Sequence, residues 1–341
     1  MTEKILITGA TGFIGYYVTR LLSAKGYALR LLVRPTSNVE HLRALNPELE
    51  FEFGDIEDIP SLEDAVDGCQ IILHAAALVS FQAEDRKRLF EINTQGTTNI
   101  VDVALAKGIR RLIYISSVAA LNRDTQSPMI SERDRWQEKL ASTPYAQSKF
   151  SAEREVWRGQ AEGLSVAALY PSLVIGAGNW LGQSTPSLFH GVDKRRFFPT
   201  GQTGFVDVRD VATATLEVLQ RDRNGDRFLL NAENLSWEKA LSMIAQSVER
   251  QPPSIRVAPW LSGLAWPVLG LLGKLTGQSP TLTKATHRTA QSKFKYDGSL
   301  ITREMDFAYR KMGDSIKETG AAYLASVKNG IPQTIWLKND S

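Results

Sequence analysis

Cysteine is nearly absent from this sequence: one residue, Cys69, in 341. That excludes an internal disulfide and any zinc cluster built on thiolates. Histidine is almost as sparse, with His41, His74, His190 and His287 scattered and no two spaced as ligands on one helix face. A metal-free site in a reducing compartment is expected. Charge of one sign is missing as a block: 40 Lys and Arg against 37 Asp and Glu leave a net charge of +3, and nowhere do five or six like charges run together. Nucleic acid, which needs such a run, is not expected as a partner. Long apolar runs are lacking too, since the most apolar stretch, residues 259–277, is broken by Pro267, three internal glycines and Lys274 and falls short of the ~20 clean residues of a membrane span. It reads as short buried or lid helices, with membrane-surface contact as the alternative. Only "MTEK" precedes the first apolar run at Ile5, which is too little for a signal peptide, so a cytoplasmic location is expected.

Hydrophobic residues make up 43% of the chain, enough for a sizeable core in one large or two unequal domains. Up to about residue 170, short β-branched runs alternate with helical-period segments. Strand candidates are "KILIT" (4–8), "ALRLLV" (28–33), "LEFEF" (49–53), "IILHAA" (71–76), "RLIYIS" (111–116) and "SVAALY" (165–170). The first is followed by a segment that sets Phe13, Ile14, Tyr17, Val18, Leu21 and Leu22 on one face. Alternation of this kind predicts a parallel sheet covered on both faces. After "LYPSLVIGAGN" (169–179) the chain turns rich in Gly, Pro and Ser, then a strand-helix signal returns at "GFVDVRDVATATLEVL" (204–219). The prediction is a dinucleotide-type domain over residues 1–175, re-entered at about 204–233, with 176–341 mainly a smaller lobe built from about 176–203 and 234–335.

"ITGATGFIG" places Gly9, Gly12 and Gly15 between the first strand and the first helix. Glycine is needed where the backbone turns sharply or meets a ligand without a Cβ in the way, and the helix start offers free N–H groups to a pyrophosphate. Thr11, Phe13 and Ile14 share that turn and are candidate cofactor neighbours. A reader of a ribose 2′-hydroxyl needs an acid about 20 residues further on, yet the residue 19 after Gly15 is Arg34. A guanidinium suits a 2′-phosphate, so NADP(H) is expected over NAD(H); an Arg34 that stacks on the adenine would be compatible with either cofactor. Asp55, with Ile56 beside it, stands just past the third strand and could accept from the adenine amino group; a turn aspartate would look the same.

"YAQSK" puts Tyr145 and Lys149 one helical turn apart, on one face. Ser142 or Thr143 can cap that helix with Pro144 in its first turn. A phenol with a pKa near ~10 becomes a useful acid/base at neutral pH only if a nearby cation favours its anion. Lys149 can be that cation, and a serine at the end of the fifth strand, Ser116 or Ser117, can hold a substrate oxygen.

"TGATGFIG", "GDIED", "HAAA" (74–77), "NTQGTTN" (93–99), "YISS" (114–117), "YAQSK" and "GFVDVRDVA" (204–212) stand in the order seen in extended short-chain dehydrogenases/reductases. The motifs cover about 1–220. "LVRPTSN" and "YPSLVIGAGNW" most resemble the dihydroflavonol 4-reductase and 3β-hydroxysteroid dehydrogenase-like branch. The resemblance implies an α/β fold: a Rossmann-type doubly wound parallel sheet with a smaller, mostly helical C-terminal substrate lobe. It implies Ser117 as the catalytic serine, Tyr145 as acid/base, and Lys149 as both the pKa-lowering cation and a ribose ligand, with Asn93 near the active site. Ala75, Ala76 and Ala77 match the strand edge along the cofactor, and Pro171 and Ser172 the loop over its carboxamide. Ser116 remains the alternative serine, and an interior hydrogen-bonded asparagine the alternative for Asn93. Asp207 and Arg209 read as structural.

The implied chemistry is reversible interconversion of a small-molecule carbonyl and a secondary alcohol. A nucleotide-sugar epimerase or dehydratase is the runner-up, for which Lys194, Arg195 and Arg196 could hold a diphosphate, although they read first as a charged surface turn. Arg34 argues against it, as does the aromatic content near the loops expected to meet substrate, with Trp136, Trp180, Trp260 and Trp266. A non-catalytic cofactor sensor would be expected to lack the Ser, Tyr and Lys set. Superfamily members often pair through a four-helix interface, so a homodimer is an expectation without a motif of its own.

Overall fold

The computed structural model describes residues 3–82, 84–121, 129–134, 143–182, 184–192, 196–257, 290–328, 331–332, 334 and 336–337. Six expected runs form strands: β1 Lys4–Thr8, β2 Ala28–Val33, β3 Glu50–Phe53, β4 Ile71–His74, β5 Arg111–Ile115 and β6 Ser165–Pro171. They are followed by β7 Leu173–Ile175, β8 Phe197–Pro199, β9 Gln202–Asp207, β10 Asp226–Leu230, β11 Glu233–Ser236 and β12 Ile255–Val257. The helices are α1 Phe13–Ala24, α2 Glu40–Arg43, α3 Ile59–Val66, α4 Arg86–Leu89, α5 Gly96–Ala106, α6 Pro144–Ala161, α7 Ser187–His190, α8 Val208–Arg221, α9 Trp237–Ser247, α10 Ser299–Glu304 and α11 Met312–Ser326.

Seven strands make one parallel sheet in the order β3-β2-β1-β4-β5-β6-β10. Strand order reverses between β1 and β4, which opens a crevice at their carboxyl ends. Side chains alternate across the sheet. Ile5 and Ile7 of β1 enter the core on the α1 and α8 side, while Leu6 enters the core beneath α3, α5 and α6. On β5 the same alternation sends Ile113 and Ile115 one way and Leu112 and Tyr114 the other. Tyr114 is thereby set under α6.

The strand expected near 204 forms as β9, but it pairs with β7 and β11 in a separate three-stranded sheet. What returns to the large sheet is α8, packed on α1, and β10, paired with β6. The sequence does not single out β10, because Asp226 and Arg227 interrupt its apolar run. Strands β8 and β12 form a two-stranded parallel sheet. Residues 86–106 wind as one helical rod whose middle, Phe90–Gln95, is π-helical. Periodicity does not reveal such a segment, since it arises from one extra residue in a turn. No helix among the described residues is long and apolar enough to cross a membrane, and residues 259–277 lie outside the described residues.

Arg111, at the start of β5, is fully buried. Its guanidinium donates to Asp222 Oδ1 at 2.6 Å, to the Val218 carbonyl at 3.0 Å and to the Arg223 carbonyl at 3.3 Å, fastening the end of α8 to the sheet. Replacing it leaves buried carbonyls without a donor. Arg111→Met is expected to lower the unfolding free energy by about 2–3 kcal/mol and Asp222→Asn by under about 1 kcal/mol, because Asp222 is half exposed and solvated. Urea denaturation of both variants measures the difference.

Candidate active site

The chain leaves β1 at Thr8 and turns at once through Gly9, whose φ of +76° suits glycine. A Cβ on Gly9 would stand 2.6 Å from the Ala76 amide nitrogen, and one on Gly15 would overlap the Gly9 carbonyl oxygen. Both glycines are forced by backbone packing. Gly12 is different: within 4 Å a Cβ there would meet only the Gly9 oxygen, at 3.1 Å. Its open side is the cradle. Gly12 also starts α1 without any side-chain cap and with no acid in the first turn, so the helix end stays electropositive. These features fit a pyrophosphate. Phe13 packs its ring on Tyr17 and against Gly176 and Gly178, and Ile14 packs on the core, so what either offers the crevice is backbone rather than side chain. Thr11 is half-buried in the turn.

Past β2, Arg34 is exposed and pairs with no acidic residue among the described ones. Its carbonyl accepts from the Ser37 amide at 2.8 Å, curling the loop. Asp55 uses Oδ1 to accept from the Glu57 amide at 3.1 Å, the turn role weighed for it, and Oδ2 has no described donor. Ile56 is buried under Gly96, and its carbonyl accepts from Asn99 at 2.9 Å.

At the end of β4, His74 is fully buried beside its register partner Thr8. Its Nδ1 is 2.7 Å from Thr8 Oγ1 and its Nε2 3.0 Å from Thr97 Oγ1. Thr97 donates its proton to the Asn93 carbonyl at 2.6 Å, so it can only accept from His74. Nε2 therefore carries the proton, and Nδ1 accepts from Thr8, which accepts in turn from the Ala76 amide at 3.3 Å. One directional chain runs from the alanine edge through the strand ends to Asn93. Burial, with a smaller contribution from the Lys149 charge, pushes the His74 pKa down to about 3, so the imidazole is neutral. Ala75 and Ala76 line Gly9 at half burial, and Ala77 is exposed.

Asn93 lies in the π-helical segment and is 1% exposed. Its Oδ1 accepts from the Leu78 amide at 2.7 Å, and its Nδ2 donates to the Leu78 carbonyl and to Ser148 Oγ, both at 2.9 Å. Both donors are spent, so the side chain clamps the loop after β4 to α6.

Helix α6 begins where expected: Thr143 Oγ1 accepts from the Ala146 amide at 3.1 Å and Pro144 occupies the first turn. Ser142 lies outside the described residues. Tyr145 is half-buried with Phe81 edge-on to its ring at 6.0 Å. Lys149, 2% exposed, donates to the Ile115 carbonyl at 3.0 Å with Nζ 4.3 Å from the centre of the Tyr114 ring. Among the described residues it has no second acceptor. Burial pushes its pKa down to about 7, against the opposing charge of Glu153. Ser117 accepts from the Ala119 amide at 3.1 Å, which leaves its hydroxyl proton without a described acceptor, whereas Ser116 donates to Glu153 Oε2 at 3.2 Å. Pro171 ends β6, and the buried Ser172 hydroxyl beside it has no partner among the described residues.

Other expected participants serve the fold. Asp207 caps α8 and pairs with Arg209 at 2.7 Å in the core. Trp180, near a loop expected to meet substrate, is 1% exposed and packs edge-on to Phe189 and Tyr323 in the core. Trp136, Trp260, Trp266, Lys194 and Arg195 lie outside the described residues, and Arg196 is exposed. Glu153, His74, Thr8 and Thr97 were not singled out. A readable signal existed for Glu153, which extends the 145/149 row by another four residues on α6.

Residues 5–230 match the NAD dependent epimerase/dehydratase family. A protein of Synechocystis sp. carrying the provisional name dihydroflavonol 4-reductase is 32% identical over 321 residues, covering 89% of this chain and 90% of its own. Sterol demethylase protein B of Methylococcus capsulatus is 29% identical, covering 75% of this chain and 78% of its own. The crystal structure of gox2253 superposes with a TM-score of 0.80 at 29% identity, covering 94% of this chain and 97% of that one.

The depressed His74 pKa has a consequence for stability. An unfolded histidine titrates near ~6.5. As pH falls below that value the unfolded chain takes up a proton that the folded state refuses until about pH 3, so stability present at pH 8 is lost on acidification. Between pH 8 and pH 5 the contribution is about 2 kcal/mol. His74→Gln is expected to flatten the wild-type slope over that interval by this amount, measured by urea unfolding at each pH.

Proposed function

Since the chain belongs to the NAD dependent epimerase/dehydratase family and is an NAD(P)-dependent enzyme of the short-chain dehydrogenase/reductase type, we propose that it interconverts a carbonyl and a secondary alcohol with NADP(H), through Ser117, Tyr145 and Lys149. The observation that carries this reading is the buried Lys149 amino group, held by the Ile115 carbonyl one helical turn from Tyr145, at the carboxyl end of β5. When bound, a nicotinamide cofactor supplies the hydride that no side chain can. In carbonyl reduction Tyr145 gives its proton to the substrate oxygen, while Ser117, whose hydroxyl proton is uncommitted, holds that oxygen in place. Lys149 favours the tyrosinate that results. Its other two N–H groups, without an acceptor among the described residues, suit the hydroxyls of a ribose. Ser116 is committed to Glu153, which favours Ser117 for the substrate contact.

Gly9, Thr11, Gly12, Phe13, Ile14 and Gly15 would hold the pyrophosphate by backbone and electropositive helix end. Arg34, exposed and unpaired among its described neighbours, would take the 2′-phosphate, and Asp55 Oδ2 the adenine amino group. Ala75, Ala76 and Ala77 would lie along the cofactor. The lone Ser172 hydroxyl next to Pro171 fits a carboxamide partner. Asn93 acts as a positioning residue that fixes α6 relative to the alanine edge.

Tyr145→Phe is expected to lower turnover of a carbonyl panel, followed as net NADPH consumption, by about 10³-fold with NADPH affinity within about twofold. Wild-type protein converting substrate with no net NADPH consumption would instead indicate an epimerase. Arg34→Ala is expected to weaken NADPH binding at least ~10-fold and NADH binding by less than ~2-fold, measured by calorimetry. Equal losses for both cofactors would move the assignment to NAD(H).

A further inference from the structure

Helix α6 carries a second charge on the face that holds Tyr145 and Lys149. Glu153, four residues beyond Lys149, lies one turn deeper over β5 and β6 and is 5% exposed. Its Oε1 accepts from the Tyr170 hydroxyl at 2.7 Å, from Arg227 Nη2 at 2.8 Å and from Trp157 Nε1 at 3.0 Å. Its Oε2 accepts from Ser116 Oγ at 3.2 Å. Four donors converge on the carboxylate. Arg227 Nε also donates to the Tyr170 oxygen at 3.1 Å, so the Tyr170 proton is committed to Glu153. These contacts hold the Glu153 carboxyl group in a nearly dry site.

Lys149 needs such a neighbour. A buried ammonium without a counter-charge tends to shed its proton, and a carbonyl and a ring face offset only part of that tendency. The titratable and charged groups packed around it are few. Strand β5 presents Tyr114, kept neutral by a pKa pushed well above its ordinary value by burial; β4 presents the neutral His74. Behind Glu153, strand β6 presents Tyr170, likewise raised by burial, and β10 presents Arg227, a cation paired with Glu153 whose side chain is 35% exposed. On α6 itself stand Tyr145 and Glu153. Among the described residues Glu153 is the one anion in this set.

We propose that Glu153 is the charge-setting residue of the active site, a positioning residue whose carboxylate keeps the buried Lys149 side chain as an ammonium. Through Ser116 it also anchors the strand end that carries Ser117. The catalytic meaning rests on the Ser117, Tyr145 and Lys149 reading above. The coupling of the two charges does not, so it is tested without substrate.

Lysines labelled with ¹³C at Cε are followed by NMR from pH 5 to pH 10, and the Lys149 signal is assigned by its loss in Lys149→Met. In Glu153→Gln, which keeps an acceptor oxygen and the side-chain shape, the Lys149 midpoint is expected to move down by about one pH unit or more, a tenfold loss of proton affinity. Arg227→Met removes the competing cation and is expected to move it up. Trp157→Phe deletes one hydrogen bond to Glu153 without changing charge and is expected to leave the midpoint within about 0.3 units. Should Glu153→Gln fail to fold, the upward shift in Arg227→Met carries the test alone. Midpoints unchanged in both charge variants would overturn the proposal and leave Glu153 a packing residue. Absence of turnover by the wild-type enzyme on the carbonyl panel would count against the reductase reading only.

Discussion

A lysine amino group placed where water barely reaches is the constraint that the candidate site answers to. Lys149 has lost its hydration and receives in exchange one carbonyl, from Ile115, and the π face of Tyr114. Both come from β5, so the strand that carries the serine pair at its end also holds the cation. The position of Lys149 along β5 is set in turn by where α6 begins, and that start is fixed by the Thr143 cap and Pro144. Local helix chemistry and distant electrostatics are thus parts of one arrangement.

The crevice beside this cation is made by topology. Strands β1 and β4 are neighbours at the point where the sheet changes direction, and their last paired residues, Thr8 and His74, are hydrogen-bonded side chain to side chain. Neutral, tautomer-fixed His74 joins the glycine turn to the Asn93 clamp without adding a charge near Lys149. A protonated imidazole there would repel the ammonium and break the direction of the chain. A charge on Lys149 adds to the burial that keeps His74 neutral.

The layers of the fold were legible because strands and helices announce themselves by period and the glycine turn by composition. Six strands fell where β-branched runs predicted them, and the α6 start was readable from Thr143 and Pro144. Strand β10 was not, because Asp226 and Arg227 stand where a buried strand is expected to be apolar; they are tolerated because Arg221 and Glu153 pair with them. The destination of β9 was also hidden, since pairing in a second sheet depends on contacts with β7 and β11 that local pattern does not encode. At the site, residue types on a helix face could be read, but their hydrogen-bond commitments could not. Asn93 and Ser116 look available in the sequence and are spent in the structure.

The π-helical segment Phe90–Gln95 sets a limit on how this chain can vary. It fits an extra residue into a rod whose other turns wind normally, and Asn93 reaches Leu78 and Ser148 from within that irregularity. Because the π turn already absorbs that extra residue, dropping one there would leave a plain α-helical rod with the core face of α5, Ile100 and Ala104 included, still turned to the sheet, while Asn93 would lose its reach to Leu78 and Ser148. A relative one residue shorter between 90 and 95 would therefore keep this packing and lack the loop-to-helix clamp.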